Sequence, residues 1–514
     1  MEFNNRSRNV NALLASASGI IQQLVQILGN FAYRTLFLMI LSKEYLGING
    51  VFSNVLQLFS LAELGIGTAI LYGMYKPFAE QDTEKIGAYV RFYKNVYHAI
   101  AVAVAVLGLC FYPFIESMVD VSEVPGDVNL TLVYFLFVLQ SVSSYLFVYK
   151  QSILSADQRT HVVALFNSGL LLIGYAVKLI VLLCTRKYEL VLLSDIGTNL
   201  LVNGCFSLWI SVKYRSIFQV RAVLPKEERL RIYKDTGGLM CHKVGSIIVT
   251  GTDNLVLSKF VSLAAVGIYS NYAMIISAIT SLVVKVFGNL VPTIANYVIN
   301  KTKEESYGLF KRLLFANMWM ASFTTVCLYL LLNPFIELWL DESFLLSQTV
   351  VALVCLQHYL QVSRLTANNF INGCGLFMRD RIRPLVEGGV NLVVSVVLAK
   401  AIGIAGVFIG TVVSGALTYF WREPWLLRRH VFHRGFGEYL LIQAGWLALT
   451  AAMCAAGSVL FSKLSMDFWG FVLKVLIAGI ASNLIILLVT FRTGECRYFL
   501  GFLNRKVSGL RNRG

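Results

Sequence analysis

The chain has 514 residues, of which 57% are hydrophobic and 14% are charged, and its formal net charge is +16. Soluble domains carry roughly 25% charged residues, so this composition excludes a soluble globular protein. Apolar runs of about 20 residues or more recur along the chain, and each is long enough to cross a hydrocarbon core of ~30 Å. We therefore predict an all-α, polytopic membrane protein with no separate soluble domain.

Fourteen membrane spans are predicted from these runs. In chain order they are residues 11–41, 47–75, 90–115, 129–153, 161–184, 190–212, 237–259, 264–298, 310–337, 347–373, 384–402, 404–425, 439–461 and 468–491. The first run lacks a small-residue cleavage site, so we expect a retained helix and not a signal peptide. An even number of spans places both termini on the same side of the membrane.

The charges of the loops predict the orientation. Residues 116–127 contain four acidic residues and no basic residue, whereas residues 213–234 contain seven basic residues. Because Lys and Arg are enriched in cytoplasmic loops, both termini are expected in the cytoplasm. Anionic lipid headgroups account for the net positive charge, and no nucleic-acid partner is required.

A weak internal repeat predicts two lobes. Residues 41–43 and 50–54 (Leu-Ser-Lys and Gly-Val-Phe-Ser-Asn) recur as residues 257–259 and 267–271 (Leu-Ser-Lys and Gly-Ile-Tyr-Ser-Asn). Six spans separate the copies, which is typical of parallel repeats related by an axis along the membrane normal. We expect lobes that enclose a cleft, followed by two additional spans and a basic tail. The predicted bounds are 1–222 for the N-lobe, 223–436 for the C-lobe and 437–514 for the addition.

Four spans carry polar side chains three or four residues apart, so that each set shares one helix face. The sets are Gln22, Gln26, Asn30 and Arg34 in span 1; Lys243, Ser246, Thr250 and Asp253 in span 7; Ser277, Ser281, Lys285 and Asn289 in span 8; and Gln357, Gln361, Arg364, Asn368 and Asn372 in span 10. Polar groups are costly in lipid, and we expect these stripes to line one water-accessible cavity. The alternative is that they hydrogen-bond neighbouring helices together.

The charges of these stripes predict an anionic ligand. The cations are Arg34, Lys243, Lys285 and Arg364, and the anion is Asp253. Guanidinium groups suit bidentate contacts with phosphate, and ammonium groups act as point charges. Two more carboxylates, Glu63 and Asp195, lie within spans, and we interpret them as partners of cations. Binding of a coupling cation is their alternative role.

No pattern typical of an enzyme, metal centre or cofactor site stands out. His242 and His358 are isolated, and no Ser/His/Asp, HExxH or DxD constellation accompanies them. The nine cysteines are dispersed without a CxxC pair, so we expect small core residues rather than disulfides or zinc ligands. We predict no catalytic activity, no metal and no cofactor.

Several segments resemble bacterial polysaccharide flippases of the Wzx type. They are residues 34–37 (Arg-Thr-Leu-Phe), 41–54, 61–69 (Leu-Ala-Glu-Leu-Gly-Ile-Gly-Thr-Ala), 75–77 (Tyr-Lys-Pro), 372–381, 403–411 and 423–424 (Glu-Pro). The resemblance implies the multidrug/oligosaccharidyl-lipid/polysaccharide exporter (MOP) superfamily, with two six-helix lobes, alternating access and, in flippases, two more C-terminal helices. In the related lipid II flippases, cavity arginines engage the pyrophosphate and the extra helices form a groove for the polyprenyl tail.

The resemblance implies a pyrophosphate-binding role for Arg34, which lies in the most specific segment. For Lys243, Lys285 and Arg364 that role depends on the stripes alone. The implied function is to move an undecaprenyl-pyrophosphate-linked oligosaccharide to the external leaflet of the bacterial inner membrane, for cell-surface polysaccharide. We expect a monomer that works with a polysaccharide polymerase or glycosyltransferases. The alternative is a cation-coupled multidrug antiporter of the same superfamily, which would use carboxylates such as Glu63, Asp195 and Asp253.

Overall fold

A computed structural model describes residues 8–59, 63, 66–115, 119, 122, 124–157, 159–288, 290–465 and 467–501. Within these ranges it describes all side chains except those of residues 8–13, 15, 16, 68, 235, 237–243, 245–247, 249, 250, 292, 377 and 378. The described residues form helices joined by turns and loops, with no strand among them. The predicted all-α, polytopic class is confirmed.

The chain forms two compact units, Met1–Gly267 and Ile268–Gly514. The helices that lie in the first unit are α1 (Arg8–Ile40), α2 (Lys43–Phe59), α3 (Ile66–Ala79), α4 (Thr83–Phe111), α5 (Leu130–Ser144), α6 (Val148–Ala156), α7 (Thr160–Thr185), α8 (Tyr188–Lys213), α9 (Arg215–Gln219) and α10 (Lys226–Phe260). Helix α11 (Leu263–Gly288) begins in the first unit and continues in the second.

The second unit contains nine further described helices. They are α12 (Val291–Asn300), α13 (Lys303–Trp339), α14 (Gln348–Ser363), α15 (Leu365–Gly373), α16 (Arg383–Ile402), α17 (Ile404–Leu417), α18 (Tyr419–Leu427), α19 (Phe436–Phe461) and α20 (Phe468–Thr490). A π-helical turn, Arg428–Phe432, follows α18. This division assigns α10 to the first unit, and the lobe bounds drawn from the repeat stay a prediction.

Ten helical segments among the described residues are long and apolar enough to cross a membrane, so the chain is a multi-pass membrane protein. They coincide with ten of the fourteen predicted spans. The other four predictions, spans 1, 2, 7 and 10, correspond to α1, to α2 with α3, to α10, and to α14 with α15. Spans 1, 7 and 10 carry polar stripes, which lower their mean hydropathy. In spans 2 and 10 the helix is interrupted, and its longer pieces have only 17 and 16 residues.

Two helices of the second unit are interrupted, and side chains explain both interruptions. Between α14 and α15, Asn317 of α13 inserts its amide: it donates to the carbonyl of Val362 (2.9 Å) and accepts from the N–H of Thr366 (3.0 Å). Between α17 and α18, the Thr418 hydroxyl donates to the carbonyl of Ser414 (2.6 Å), and the Thr418 N–H donates to the carbonyl of Gly415 (3.3 Å). Insertion of a side chain into the helical ladder is a common cause of such breaks.

Helix α13 is the centre of the second unit, and the last two helices pack against it. Trp319 of α13 donates to the Asn483 side chain of α20 (2.8 Å). Thr450 of α19 donates to the Ser322 hydroxyl of α13 (2.7 Å), and the Phe315 and Trp446 rings meet edge to face. Helices α19 and α20 are therefore integral parts of this unit and share its apolar core.

The two copies of the sequence repeat contact each other within the first unit. A Cβ added at Gly267 would collide with the backbone carbonyl of Lys43, and one added at Gly47 would collide with that of Leu263. The N-terminal turns of α2 and α11 thus pack backbone to backbone. Only glycine permits this approach, which explains the glycines at positions 47 and 267.

We predict that Gly267→Val destabilises the protein by about 1–3 kcal/mol, because the added side chain overpacks the contact with Lys43. The measurement is thermal or denaturant unfolding of the purified protein in detergent. Gly169→Val in α7 is the matched control, since a Cβ there meets no atom within 4 Å and the loss of glycine from a helix is the same. Equal unfolding free energies for the two variants would contradict the prediction.

Candidate functional site

An ion pair stands at the centre of the polar cluster in the first unit. Lys178 Nζ of α7 lies 3.0 Å from Asp195 Oδ1 of α8, and the amide of Gln140 donates to Asp195 Oδ2 (2.6 Å). The Lys178 ammonium lies 5.3 Å from the ring centroids of both Tyr33 and Tyr175. This carboxylate is therefore matched by a cation of its own unit, a partner that the sequence pattern did not identify.

The polar stripe of α1 reaches the same cluster. Asn30 accepts a hydrogen bond from the Tyr175 hydroxyl (2.7 Å), and Arg34 lies half-buried beside Tyr33. Nearer the start of the stripe, Gln22 is half-buried and Gln26 is exposed. The structure thus connects Asn30, through Tyr175, to the cluster around the Lys178–Asp195 pair, and Arg34 follows Tyr33 of that cluster along α1.

Glu63 binds a tyrosine in the part of the first unit that the structure describes. The Tyr97 hydroxyl donates to Glu63 Oε1 (2.6 Å), and the Tyr93 and Tyr97 rings meet edge to face with centroids 4.6 Å apart. Both tyrosines are buried. No Lys or Arg among the described residues lies within 4 Å of Glu63, so its predicted pairing with a cation stays a prediction.

The remaining sites of spans 7 and 8 are described in part. Asp253 is buried on α10, and Lys285 is exposed near the end of α11. The Lys243 side chain and Asn289 lie outside the described residues. Their predicted place on a shared cavity stays a prediction.

The stripe of span 10 follows α14 and α15, with Arg364 at the interruption. Gln357 and Asn368 are half-buried, whereas Gln361 and Asn372 are exposed. The amide of Asn372 donates to the side-chain oxygen of Asn368 (3.5 Å). Arg364 is the one charged residue of this stripe, and it belongs to a larger network of ion pairs.

Three arginines and three carboxylates form this buried network in the second unit. Arg364 is hydrogen-bonded and ion-paired to Glu423 Oε1 of α18. Arg383 of α16 contacts Asp380 (2.6 Å), Glu387 (2.5 Å) and, at 3.8 Å, Glu423. The network is completed by Arg422, whose Nε lies 3.8 Å from Asp380 Oδ1. Its charges balance, as is required of ions kept from water.

Of this network, the sequence analysis singled out Arg364 alone. The other members lie in charged stretches, residues 379–387 and 422–423, and such stretches are also typical of solvated loops, so the pattern did not single them out. Asp380 and Glu423 also lie in segments that carry the resemblance to flippases. The described residues contain no group of three or more side chains suited to hold a metal ion.

The described part of the chain has the arrangement of known transporters. In sequence, no family model and no curated protein matches it. Among solved structures, the lipid II flippase MurJ in an inward closed conformation matches with a TM-score of 0.65 and 14% identity, over 93% of this chain and 99% of that chain. The chain has the fold of the MOP superfamily.

Two transporters of the MATE family have the same MOP fold. An inward-facing MATE transporter of the MOP superfamily matches with a TM-score of 0.58 and 13% identity, over 82% of this chain and 99% of its own. A variant of the Vibrio cholerae MATE transporter VcmN matches with a TM-score of 0.55 and 12% identity, over 84% and 99%. The predicted superfamily fold is thereby confirmed. The proteins with this similar fold are transporters or flippases rather than enzymes.

We predict that Asp195→Asn destabilises the protein by on the order of 3 kcal/mol, because it leaves the Lys178 ammonium in a largely buried site without its carboxylate. Unfolding in detergent measures this change. Lys178→Met in the Asp195→Asn background should recover much of the loss, since no unpaired charge remains. Lys76→Met is the control: its pair with Glu80 is exposed and is worth at most about 1 kcal/mol. An Asp195→Asn loss no larger than that of the control would contradict the prediction.

Proposed function

We propose that this protein is a flippase that moves an undecaprenyl-pyrophosphate-linked oligosaccharide from the cytoplasmic to the external leaflet by alternating access. In this proposal it resides in the bacterial cytoplasmic membrane with both termini in the cytoplasm. It acts as a monomer, without enzymatic activity, and supplies a polysaccharide polymerase or glycosyltransferase system. The lobes rock about a central site while the lipid tail stays in the bilayer.

The observation that carries this proposal is the extent of the likeness to MurJ. It covers 93% of this chain, whereas the two MATE likenesses cover 82% and 84%. The differences of 11 and 9 percentage points correspond to about 57 and 46 of the 514 residues, which is close to the combined length of α19 and α20, with 26 and 23 residues. These two helices are integrated into the second unit through α13, and the resemblance to flippases assigns such helices to the lipid tail.

Charge and shape in the two units agree with a lipid-linked anion. In the first unit, Arg34 of α1 is half-buried and follows Tyr33, whose ring lies 5.3 Å from the Lys178 ammonium. In the second unit, a cavity of about 250 Å³ lies between α13, α14 and α19. Its lining is mainly apolar and includes Thr325, Tyr329, Leu356, Leu447, Ala451 and Ala455. We assign the phosphate to the cations and part of the isoprenoid chain to this cavity.

A cation-coupled multidrug antiporter is the second candidate, because the MATE transporters share the MOP fold. An organic cation would need an accessible carboxylate. Asp195 is engaged by Lys178 and Gln140, and Glu63 by Tyr97, which favours the flippase. Resistance of expressing cells to cationic dyes separates the two functions.

We predict that Arg34→Gln slows flipping at least tenfold, since a hydrogen bond to a charged group is worth about 1.5–3 kcal/mol. The measurement is protection of a fluorescent undecaprenyl-pyrophosphate oligosaccharide from an external quencher in proteoliposomes. Arg428→Gln, at an exposed position of the π-helical turn, removes the same charge as a control. Absence of flipping by the wild type, together with dye resistance in cells, would overturn the proposal in favour of the antiporter.

We also predict that Ala451→Trp slows flipping of the full-length undecaprenyl lipid several-fold, because the indole fills the cavity beside α13 and α14. The same assay measures it, with a short-chain isoprenoid analogue for comparison, whose transport should change less. Ala452→Trp is the matched control: Ala452 is the next residue of α19, is exposed and does not line the cavity. Equal effects of both tryptophans on both lipids would argue against a tail site here.

A further inference from the structure

Two interrupted helices of the second unit meet at one ion pair. Arg364 occupies the interruption between α14 and α15, and Glu423 lies on α18, just beyond the interruption between α17 and α18. The Arg364 guanidinium carbon lies 4.0 Å from the ring centroid of Tyr419, the first residue of α18. The pair and this ring therefore join the start of α15 to α18.

One of the two oxygens of the Glu423 carboxylate has a partner among the described residues, and the other has none. Its Oε1 receives Arg364 and lies 3.8 Å from Arg383. Its Oε2 is buried and accepts no hydrogen bond from the described residues, although a buried acceptor without a partner carries a desolvation cost. Two guanidinium groups directed at one point match the several oxygens of a phosphate better than a single carboxylate oxygen.

The partners of the arginines differ, and this difference identifies which one can be exchanged. Arg383 is held by Asp380 and Glu387 at 2.6 and 2.5 Å. For Arg364, Glu423 is the one carboxylate within 4 Å among the described residues. Opening the Arg364–Glu423 pair therefore leaves Arg383 neutralised.

Exposure gives the exchange a direction. The Arg364 side chain is 19% exposed, whereas the Glu423 side chain is 1% exposed. An anion that arrives from outside the network reaches the guanidinium before the carboxylate. The Glu423 carboxylate lies on the buried side of the Arg364 guanidinium and pairs with it when no such anion is present.

We propose that Glu423 is an internal counterion that occupies the Arg364 guanidinium in the substrate-free protein and is displaced by a phosphate group of the anionic lipid-linked substrate. This inference rests on the proposed flippase function and adds a specificity-determining residue to it. Displacement also releases α15 from α18 at the point where both helices are interrupted. Substrate binding is thereby coupled, through the Arg364–Glu423 contact, to a movement of α15 relative to α18.

The experiment measures the affinity of the full-length protein in detergent for inorganic pyrophosphate. The fluorescence of the protein's tryptophans reports the binding. Removal of the competing carboxylate in Glu423→Gln should tighten binding by roughly tenfold, within the usual 5- to 150-fold range of such couplings. Glu438→Gln is the matched control, because Glu438 pairs with Lys311 and Tyr307 elsewhere in the same unit. It removes one negative charge without touching Arg364, and its affinity should equal that of the wild type.

A purely structural role for the pair makes the opposite prediction, since Glu423→Gln would then lower stability without tightening pyrophosphate binding. That result overturns the inference. Glu423→Asp guards against a variant that fails to fold: it retains the charge but withdraws the carboxylate by one methylene, and its affinity should lie between those of the wild type and Glu423→Gln. Unchanged affinity in Glu423→Asp likewise overturns the inference. In Arg364→Gln with Glu423→Gln, the gain should disappear.

The proposed function is tested separately by flipping of the pyrophosphate-linked lipid. Flipping by the wild type with no tightening in Glu423→Gln refutes the counterion alone. Tightening in Glu423→Gln with no flipping by the wild type supports the anion site and refutes the flippase.

Discussion

Charge that is removed from water has to be neutralised nearby, and this constraint governs the polar interior of both units. In the first unit, Lys178 is satisfied by Asp195 and by two tyrosine rings. In the second unit, three arginines meet three carboxylates in one network. In both of these clusters the described charges are balanced by residues of the same unit, so the clusters need no ligand for their electrostatic balance.

Internal pairing changes what an intramembrane cation offers to a ligand. A free buried cation would bind an anion tightly and release it slowly, whereas a paired cation gives the ligand only the difference between two interactions. A transport site must be occupied and then emptied, so its affinity has to stay moderate. The pairing of Arg364 with Glu423 is therefore compatible with transport, and its strength sets how strongly an anion must compete.

Sequence periodicity was sufficient for the fold class and for most helix positions, because apolar runs of membrane length have few alternatives. It also predicted polar faces on α1 and on α14 with α15. It could not identify the partners of the charges, since Glu423 is 59 residues from Arg364 and Asp195 is 17 residues from Lys178 on another helix. The interruption at Arg364 was missed for a similar reason, because the amide of Asn317, which replaces backbone partners there, comes from a different helix. The interruption at Thr418 involves a local contact between a hydroxyl and a carbonyl, which also occurs within continuous helices and therefore did not mark a break.

The Arg364–Glu423 pair lies where two helices are interrupted, and this position bears on how α15 and α18 can move relative to each other. Irregular backbone inside a membrane is tolerated where protein or water satisfies its polar groups, and here Asn317 and Thr418 do so. Because the helical hydrogen bonds are already missing at these points, a shift of α15 relative to α18 sacrifices few backbone bonds. The Arg364–Glu423 pair is one contact that opposes that shift, and in the proposed exchange a ligand that displaces Glu423 removes this contact.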